Sequence, residues 1–339
     1  MVDMVSILKY ASILVAILFV LWLIFWVCGL KKNTPVFGVS FHEEYAASLG
    51  LHPREVYRSM LTELSPASVR LSAMWKEIEA TKGTYDFSSL DWYMNEAAAH
   101  ETKVVLVVGQ KAPRWPECHV PPWIKEESKE DAHVKLLAYV QETVNRYKEH
   151  PALEFWQVEN EPFIRFSFGE CEGYDPSAIS DEIALVRAQD AVHQIVITDS
   201  GELGLWYRAA KTGDIFGTTL YRMVRLPSGK IFSYDWLPSG FYRLKAALLG
   251  IKNDAFWVSE LQAEPWFSSG NPHDTSVQEQ EETMTVERMK KHVDYAERLG
   301  ASRVYLWGVE WWYFMRERHG EEGYIDYAKA VFGQGQGES

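Results

Sequence analysis

Eight short apolar runs recur along this chain of 339 residues, and helical patterns separate most of them. The runs are Val36–Phe41, Val69–Leu71, Val104–Val108, Leu153–Val158, Ile195–Thr198, Ile215–Leu220, Phe256–Glu260 and Val304–Trp307. Helical segments are expected at Pro53–Leu64, Asp91–His100, Asp131–His150, Ser180–Asp190, Tyr242–Leu249, Thr283–Leu299 and Tyr324–Phe332, with a poorly marked one at Leu205–Thr212. Leu249-Gly250 and Leu299-Gly300 read as helix stops ahead of a strand. Strands that alternate with helices pair in parallel and carry the helices outside. Eight such units close a ring, whereas five or six would leave an open sheet. The expected fold is therefore α/β, a (β/α)8 TIM barrel preceded by one N-terminal transmembrane helix. No Gly-x-Gly-x-x-Gly or P-loop pattern follows the first strand, which removes the main support for nucleotide binding.

The transmembrane expectation comes from residues 10–30, which hold no charge over a length sufficient to cross a hydrocarbon core of about 30 Å. Lys9 and Lys31-Lys32 bracket the stretch. A cleaved leader would have a shorter apolar core ending in small residues. Here the end is Phe25-Trp26-Val27-Cys28, so an uncleaved signal anchor is expected. The domain reading is an anchor over 1–34, a barrel over 35–333 and a frayed tail over 334–339. The two lysines after the span favour a cytoplasmic C-terminal part, by a rule that is weak for single charges. Cys118 and Cys171 fall in loops after the third and fourth strands, where a disulfide is geometrically possible and two unrelated thiols fit as well. The formal net charge of -13 argues against a nucleic-acid partner. There is no His/Cys cluster with metal-ligand spacing, and no cofactor is expected.

In a barrel of this kind the functional side chains gather at the C-terminal ends of the strands. Those ends carry His42 and Glu43, Arg70 and Trp75, Lys111 and Trp115, Asn160 and Glu161, Tyr221 and Arg222, Glu260 and Gln262, and Trp307 and Glu310. Two apolar runs end in glutamate: Trp156-Gln157-Val158-Glu159-Asn160-Glu161-Pro162 and Phe256-Trp257-Val258-Ser259-Glu260. Side chains alternate along a strand. That phase groups Gln157, Glu159 and Glu161 on one side, and Phe256, Val258 and Glu260 on one side of the other strand. Two carboxyls presented to a shared cavity are what cleavage of a glycosidic bond requires, about 5–5.5 Å apart when one is the nucleophile. Their pKa values must differ. Glu159, in phase with Glu161, would raise the pKa of Glu161, Arg70 would hold Glu260 ionised, and Tyr221 would orient it.

Tryptophan accounts for 14 residues, only two of which (Trp22 and Trp26) lie in the apolar segment. Trp75, Trp115, Trp206, Trp266, Trp307 and the pair Trp311-Trp312 follow strand ends, where aromatic faces suit the C–H faces of sugars. Trp92, Trp156 and Trp257 read as core. Glu310 is a further carboxylate near the mouth, either a substrate contact or a solvated group. Glu264 is a rival nucleophile.

Asn160-Glu161-Pro162 at the end of the fourth strand resembles the signature of the retaining clan A glycoside hydrolases, the group of cellulase-type enzymes and barrel β-galactosidases and β-xylosidases. Val69-Arg70-Leu71 through Trp75-Lys76-Glu77-Ile78-Glu79, Gly83-Thr84-Tyr85-Asp86-Phe87 and Leu90-Asp91 are similar to their second unit. Val258-Ser259-Glu260 resembles their nucleophile strand, with Ser259 where many members have threonine. Tyr221 and Trp307 match the tyrosine of strand six and the tryptophan of strand eight. The likeness runs from about residue 36 to 332. It implies Glu161 as acid/base, Glu260 as nucleophile and Asn160 as a contact to the sugar 2-hydroxyl. Arg70, Tyr221, Trp307, Trp115, Trp266 and Glu310 complete the expected substrate site.

The expected activity is retaining hydrolysis of β-linked O-glycosidic bonds by double displacement, on an oligo- or polysaccharide. A tethered, non-catalytic carbohydrate-binding barrel and a transglycosylase with the same residues are the alternatives. Polymeric glycans lie mostly outside the cytoplasm, which favours an extracytoplasmic barrel on a single-pass anchor whose residues 10–30 meet the bilayer.

Overall fold

The structure, a computed structural model, describes residues 4–164, 171, 174–226, 228–267 and 272–334. Eight parallel strands form a closed barrel. They are β1 (Val36–Ser40), β2 (Ser68–Ser72), β3 (Lys103–Val108), β4 (Leu153–Val158), β5 (Gln194–Asp199), β6 (Ile215–Leu220), β7 (Phe256–Gln262) and β8 (Arg303–Trp307). Each pairs with its sequence neighbours, and β1 closes the ring on β8, Val36 opposite Arg303. All eight expected strands are present. Shared faces explain why they close. One face of each strand packs outward against the helices, as Val69, Leu71, Leu106, Trp156, Val158 and Val304 do. The other face fills the ring, where Val105, Val196, Ile215, Trp257 and Tyr305 form a separate apolar floor with Phe155 against it. Arg303 lies over Phe155 and Trp257 and pairs with Glu154, sealing that floor.

The helices start where the sequence supplies caps. Ser128 Oγ accepts from the Asp131 N–H at 3.1 Å at the start of Lys129–Tyr147, and Thr285 Oγ1 accepts from the Arg288 N–H at 3.1 Å before Val286–Ala296. Two expectations fail. The fifth helix is only a 3-10 turn, Ala209–Lys211, because the loop before it is pinned by Asp199, which accepts from the Trp206 N–H. An additional helix, Val309–His319, directly follows β8. Gly308 makes that bend at φ 120°, with its Cα so close to Glu264 that a Cβ would sit 2.4 Å from the Glu264 Cβ. Trp311 and Trp312 lie on this helix, wholly buried, with indole N–H groups bonded to Gln280 Oε1 and the Ala263 carbonyl. Trp75 and Trp206 are likewise core residues, so four of the tryptophans expected at the mouth are structural.

The apolar N-terminal segment is one helix, Met4–Cys28, whose Ser6–Cys28 part is long and apolar enough to cross a membrane. Its last turn meets the barrel helix Gly240–Leu248. Phe25 packs edge-on to Phe241 with centroids 5.6 Å apart, and the Trp22 indole N–H donates to the Trp236 carbonyl at 3.1 Å. The backbones touch at Gly29 and Gly240, where a Cβ on Gly240 would come within 1.9 Å of the Phe25 carbonyl oxygen. Residues 335–339, most of the expected tail, lie outside the described residues. Cys118 and Cys171 are disulfide-bonded and tie the β3 and β4 loops together.

Removing that bond by Cys118→Ser should lower stability by about 2–5 kcal/mol, the usual range for a native disulfide. Chemical denaturation of the detergent-solubilised chain, with and without reductant, measures it. A reductant-insensitive midpoint would contradict the assignment.

Candidate active site

The site is assembled around one buried arginine. Arg70 on β2 is 2% exposed. Its guanidinium donates from Nε to Gln157 Oε1, from one terminal nitrogen to Glu260 Oε1 and from the other to Asn160 Oδ1, each at 2.8 Å. Inward-facing alternation on β2 places it there, with Ser68 below and Ser72 above. Five donors in a rigid fork let one side chain address β4 and β7 at once. Glu260 is an ion partner of Arg70 at 2.8 Å, and its second oxygen accepts from the Tyr221 hydroxyl at 2.8 Å.

Glu260 reaches the interior by a route that simple alternation misses. Phe256 and Val258 face the helical shell, and Trp257 faces the floor. The expected grouping of Phe256, Val258 and Glu260 is therefore corrected. The β6–β7 register slips by one, from Thr218 opposite Val258 to Thr219 opposite Glu260, and this bulge turns Glu260 inward.

Glu161 follows the end of β4 in left-handed backbone, φ 44°, as does Glu159 at φ 61°. Such conformations cost non-glycine residues energy and persist only when their surroundings fix them. Here the Glu161 N–H donates to Thr198 Oγ1 at 2.8 Å, and Lys111 Nζ donates to the Glu161 carbonyl at 3.3 Å. The Glu161 carboxyl accepts from Thr219 Oγ1 at 3.0 Å. Thr219 is also the register partner of Glu260, and neighbouring strands run about 4.8 Å apart. Both carboxyls thus converge beside one threonine. Burial, then the negative charges of Glu260 and Glu117, push the Glu161 carboxyl up to about 8.

Glu159 is not the cause of that rise. It turns aside to accept the backbone N–H groups of Gln110 at 2.7 Å and Lys111 at 2.6 Å. Burial pushes Glu159 up to about 7, and burial together with Glu159 pushes its neighbour Glu182 well above the carboxylate range. This buried carboxyl pair fixes the β3 loop. Gly109, at φ 120°, passes so close that a Cβ there would meet Glu159 Oε1 at 2.6 Å.

The remaining expected residues form a second layer. Trp266 stands edge-on to Tyr221 with centroids 5.7 Å apart. Trp307 donates its indole N–H to Glu264 Oε1 at 2.8 Å, and the Arg114 guanidinium lies 4.4 Å from its ring centroid. Arg114 binds Glu264 at 2.7 and 3.2 Å and Glu310 at 3.3 Å. Glu310 is completely buried, also accepts the His42 N–H, and is pushed up to about 7 chiefly by burial, so the solvated reading of it fails. Glu264, with both oxygens on Arg114, is committed to this ion cluster. Trp115 is 70% exposed. It and Arg114 help line a cavity of about 480 Å³, with His42, Glu44, Glu77 and Asp86, whose lining includes neither Glu161 nor Glu260. Gln157 stands on the inward side that the strand phase assigns to it, whereas Arg114, Thr198 and Thr219 are not picked out from sequence, and for Thr219 the inward strand phase is the available signal.

This chain resembles known proteins in sequence and in fold. Residues 54–173 match the family described as Glycosyl hydrolase family 10. A curated β-galactosidase from Arthrobacter sp is 31% identical over 144 residues, 37% of this chain and 21% of that protein. The β-galactosidase structure from Halorubrum lacusprofundi superposes with a TM-score of 0.55 at 16% identity, over 80% of this chain and 52% of that one. Xylanase 10B from Thermotoga maritima superposes with a TM-score of 0.55 at 14% identity, over 84% of this chain and 85% of that one. The chain spans about a fifth of the curated relative and about half of the haloarchaeal one. The sequence likeness to clan A glycoside hydrolases is thus supported by matches in both sequence and fold.

Replacing Arg70 with methionine should lower stability by about 3–5 kcal/mol, since it strands the Glu260 charge in the interior. Thermal unfolding of parent and variant measures this. A shift no larger than that of an exposed pair such as Arg58–Glu96 would contradict the hub.

Proposed function

We propose that the chain is a retaining glycoside hydrolase acting on β-linked glycans and held at a membrane by its N-terminal helix. The observation that carries the reading is the unequal pair beside Thr219. Glu260 accepts a guanidinium and a phenol hydroxyl, while the surroundings of Glu161 favour its protonated form to about 8. Glu161 donates its proton to the glycosidic oxygen as the Glu260 carboxylate attacks the anomeric carbon. The leaving group departs with that proton, and the sugar stays esterified to Glu260. Glu161, now ionised, takes a proton from water, and the water oxygen displaces Glu260 with net retention. Asn160 Oδ1 is engaged by Arg70 and Thr198, which leaves its amide N–H groups for a sugar hydroxyl. The β-galactosidase and xylanase neighbours support the substrate class without selecting a sugar.

Two observations support a retained anchor and an extracytoplasmic barrel. The last turn of the helix is fitted to the barrel at Gly29 and Gly240, which a removable leader does not need. The disulfide Cys118–Cys171 belongs to an oxidising compartment, which outweighs the weak lysine signal. The mass of the purified chain should include residues 1–34, and a species starting near residue 30 would refute the anchor.

Glu260→Ala should abolish turnover, and a fluorinated glycoside should leave a covalent adduct on Glu260. Absence of an adduct with every sugar tried would favour a carbohydrate-binding barrel, and longer glycans among the products a transglycosylase. Glu161→Ala should slow substrates with poor leaving groups far more than activated aryl glycosides, and equal losses would exclude the acid role. The rate should fall as pH rises through about 8, where Glu161 loses its proton. Thr219→Val removes a bond to the charged form, so that limb should move to higher pH, whereas an unmoved limb would dissociate it from Glu161.

A further inference from the structure

The membrane helix leaves the barrel at the same end as the two glutamates. Gly240–Leu248 follows β6, so its first residue lies at the C-terminal end of the strands. Gly29 docks on Ser239 and Gly240 there. Residues 29–35 then run towards the opposite end, where Asn33 bonds the Ala301 carbonyl and the Gly300 N–H ahead of β8. Residues 7–24 are exposed, so beyond Phe25 the helix projects away from the protein.

A two-stranded hairpin, Met223–Arg225 with Ile231–Ser233, lies between β6 and the segment that meets that departing helix. It begins two residues after Tyr221, and Gln262 at the end of β7 clamps Met223 by its N–H and carbonyl. The segment after the hairpin carries Trp236, whose carbonyl receives the Trp22 N–H. Trp22 lies about 9 Å before the helix end at Cys28, at 1.5 Å per residue. The apolar span therefore overlaps the barrel rim by roughly that depth, which is how far interfacial elements sink into the headgroup and acyl boundary.

The exposed side chains agree. Outside residues 4–30 there are twelve exposed large apolar side chains among the described residues, and seven are in the β5 and β6 loops. They include Leu203, Leu205, Leu226, Ile231, Phe232 and Trp236. The β5 loop leans on the helix that docks the anchor, through Lys245 to the Gly204 carbonyl and Tyr242 to Glu202, and the β6 loop runs directly into the start of that helix at Gly240. An apolar patch of this kind marks a membrane or partner surface, and here it continues the membrane span itself.

We infer that the β5 and β6 loops form a bilayer-docking surface that holds the barrel mouth against the membrane, so that the substrate is a sugar displayed on a lipid of that same membrane. The substrate part rests on the glycosidase reading, and the docking part does not. A nitroxide at Phe232→Cys, in a Cys28→Ser full-length chain reconstituted in phosphatidylcholine vesicles, should be reached by oxygen and shielded from a water-soluble nickel complex. Labels at Val192→Cys and Leu248→Cys, exposed near the opposite ends of the strands, should be reached by nickel. A Phe232 label as nickel-accessible as the Val192 label overturns the docking. Paired substrates then test the lipid: one sugar on an aryl group and the same sugar on a dialkylglycerol in the vesicle. Phe232→Glu with Trp236→Glu should slow the lipid glycoside about tenfold or more and leave the aryl glycoside unchanged. Unchanged lipid turnover would overturn the substrate class. A lipid-embedded Phe232 label without aryl turnover or a Glu260 adduct would instead sink the glycosidase reading alone.

Discussion

Arg70 is the interaction on which the rest of the site depends. A guanidinium in the interior of a barrel is expensive unless its donors and its charge are met. Gln157, Asn160 and Glu260 meet them, and each comes from the end of a strand that reaches the same cavity. Because the fork is planar and rigid, satisfying it fixes three side chains at once. The separation of the Glu161 and Glu260 carboxyls is then a consequence of barrel closure and not of local sequence.

Around that hub, like charge is used in two ways. At Glu161 burial, and after it the negative neighbours Glu260 and Glu117, favour a protonated carboxyl beside an ion-paired one, the asymmetry that acid and nucleophile roles require. At Glu159 and Glu182 burial does similar work without access to the cavity, and the pair holds the β3 loop through backbone N–H groups. The Arg114, Glu264 and Glu310 cluster braces Trp307 from the other side. One chemistry, buried carboxyls with few cations, thus serves both the proposed reaction and the scaffolding.

Much of this was legible in order along the chain. Strand positions follow from apolar runs, and the strand ends in sequence point to Arg70, Asn160, Glu161, Tyr221 and Glu260. The errors have physical causes. A bulge inserts a residue into β7 and inverts the phase beyond it, so counting by twos turns Glu260 inward with the wrong companions. Trp75, Trp206, Trp311 and Trp312 follow strand ends in sequence but lie in the shell, because an indole buries a large area and each N–H finds a carbonyl or carboxylate there. Glu159 shared a phase with Glu161, but its left-handed backbone at φ 61° turned it towards the β3 loop.

The amino-acid order alone determined the alternation of strand and helix, the apolar span and the chemical inventory of the mouth, because periodicity and composition are local properties. Only the closed ring decided which carboxyl is paired, which is buried near like charge, that Cys118 meets Cys171, and that the span departs from the mouth end of the barrel. Those outcomes depend on distances between residues up to about two hundred positions apart, such as Arg70 to Glu260 and Trp22 to Trp236, and a linear pattern carries no such distance until the backbone has closed.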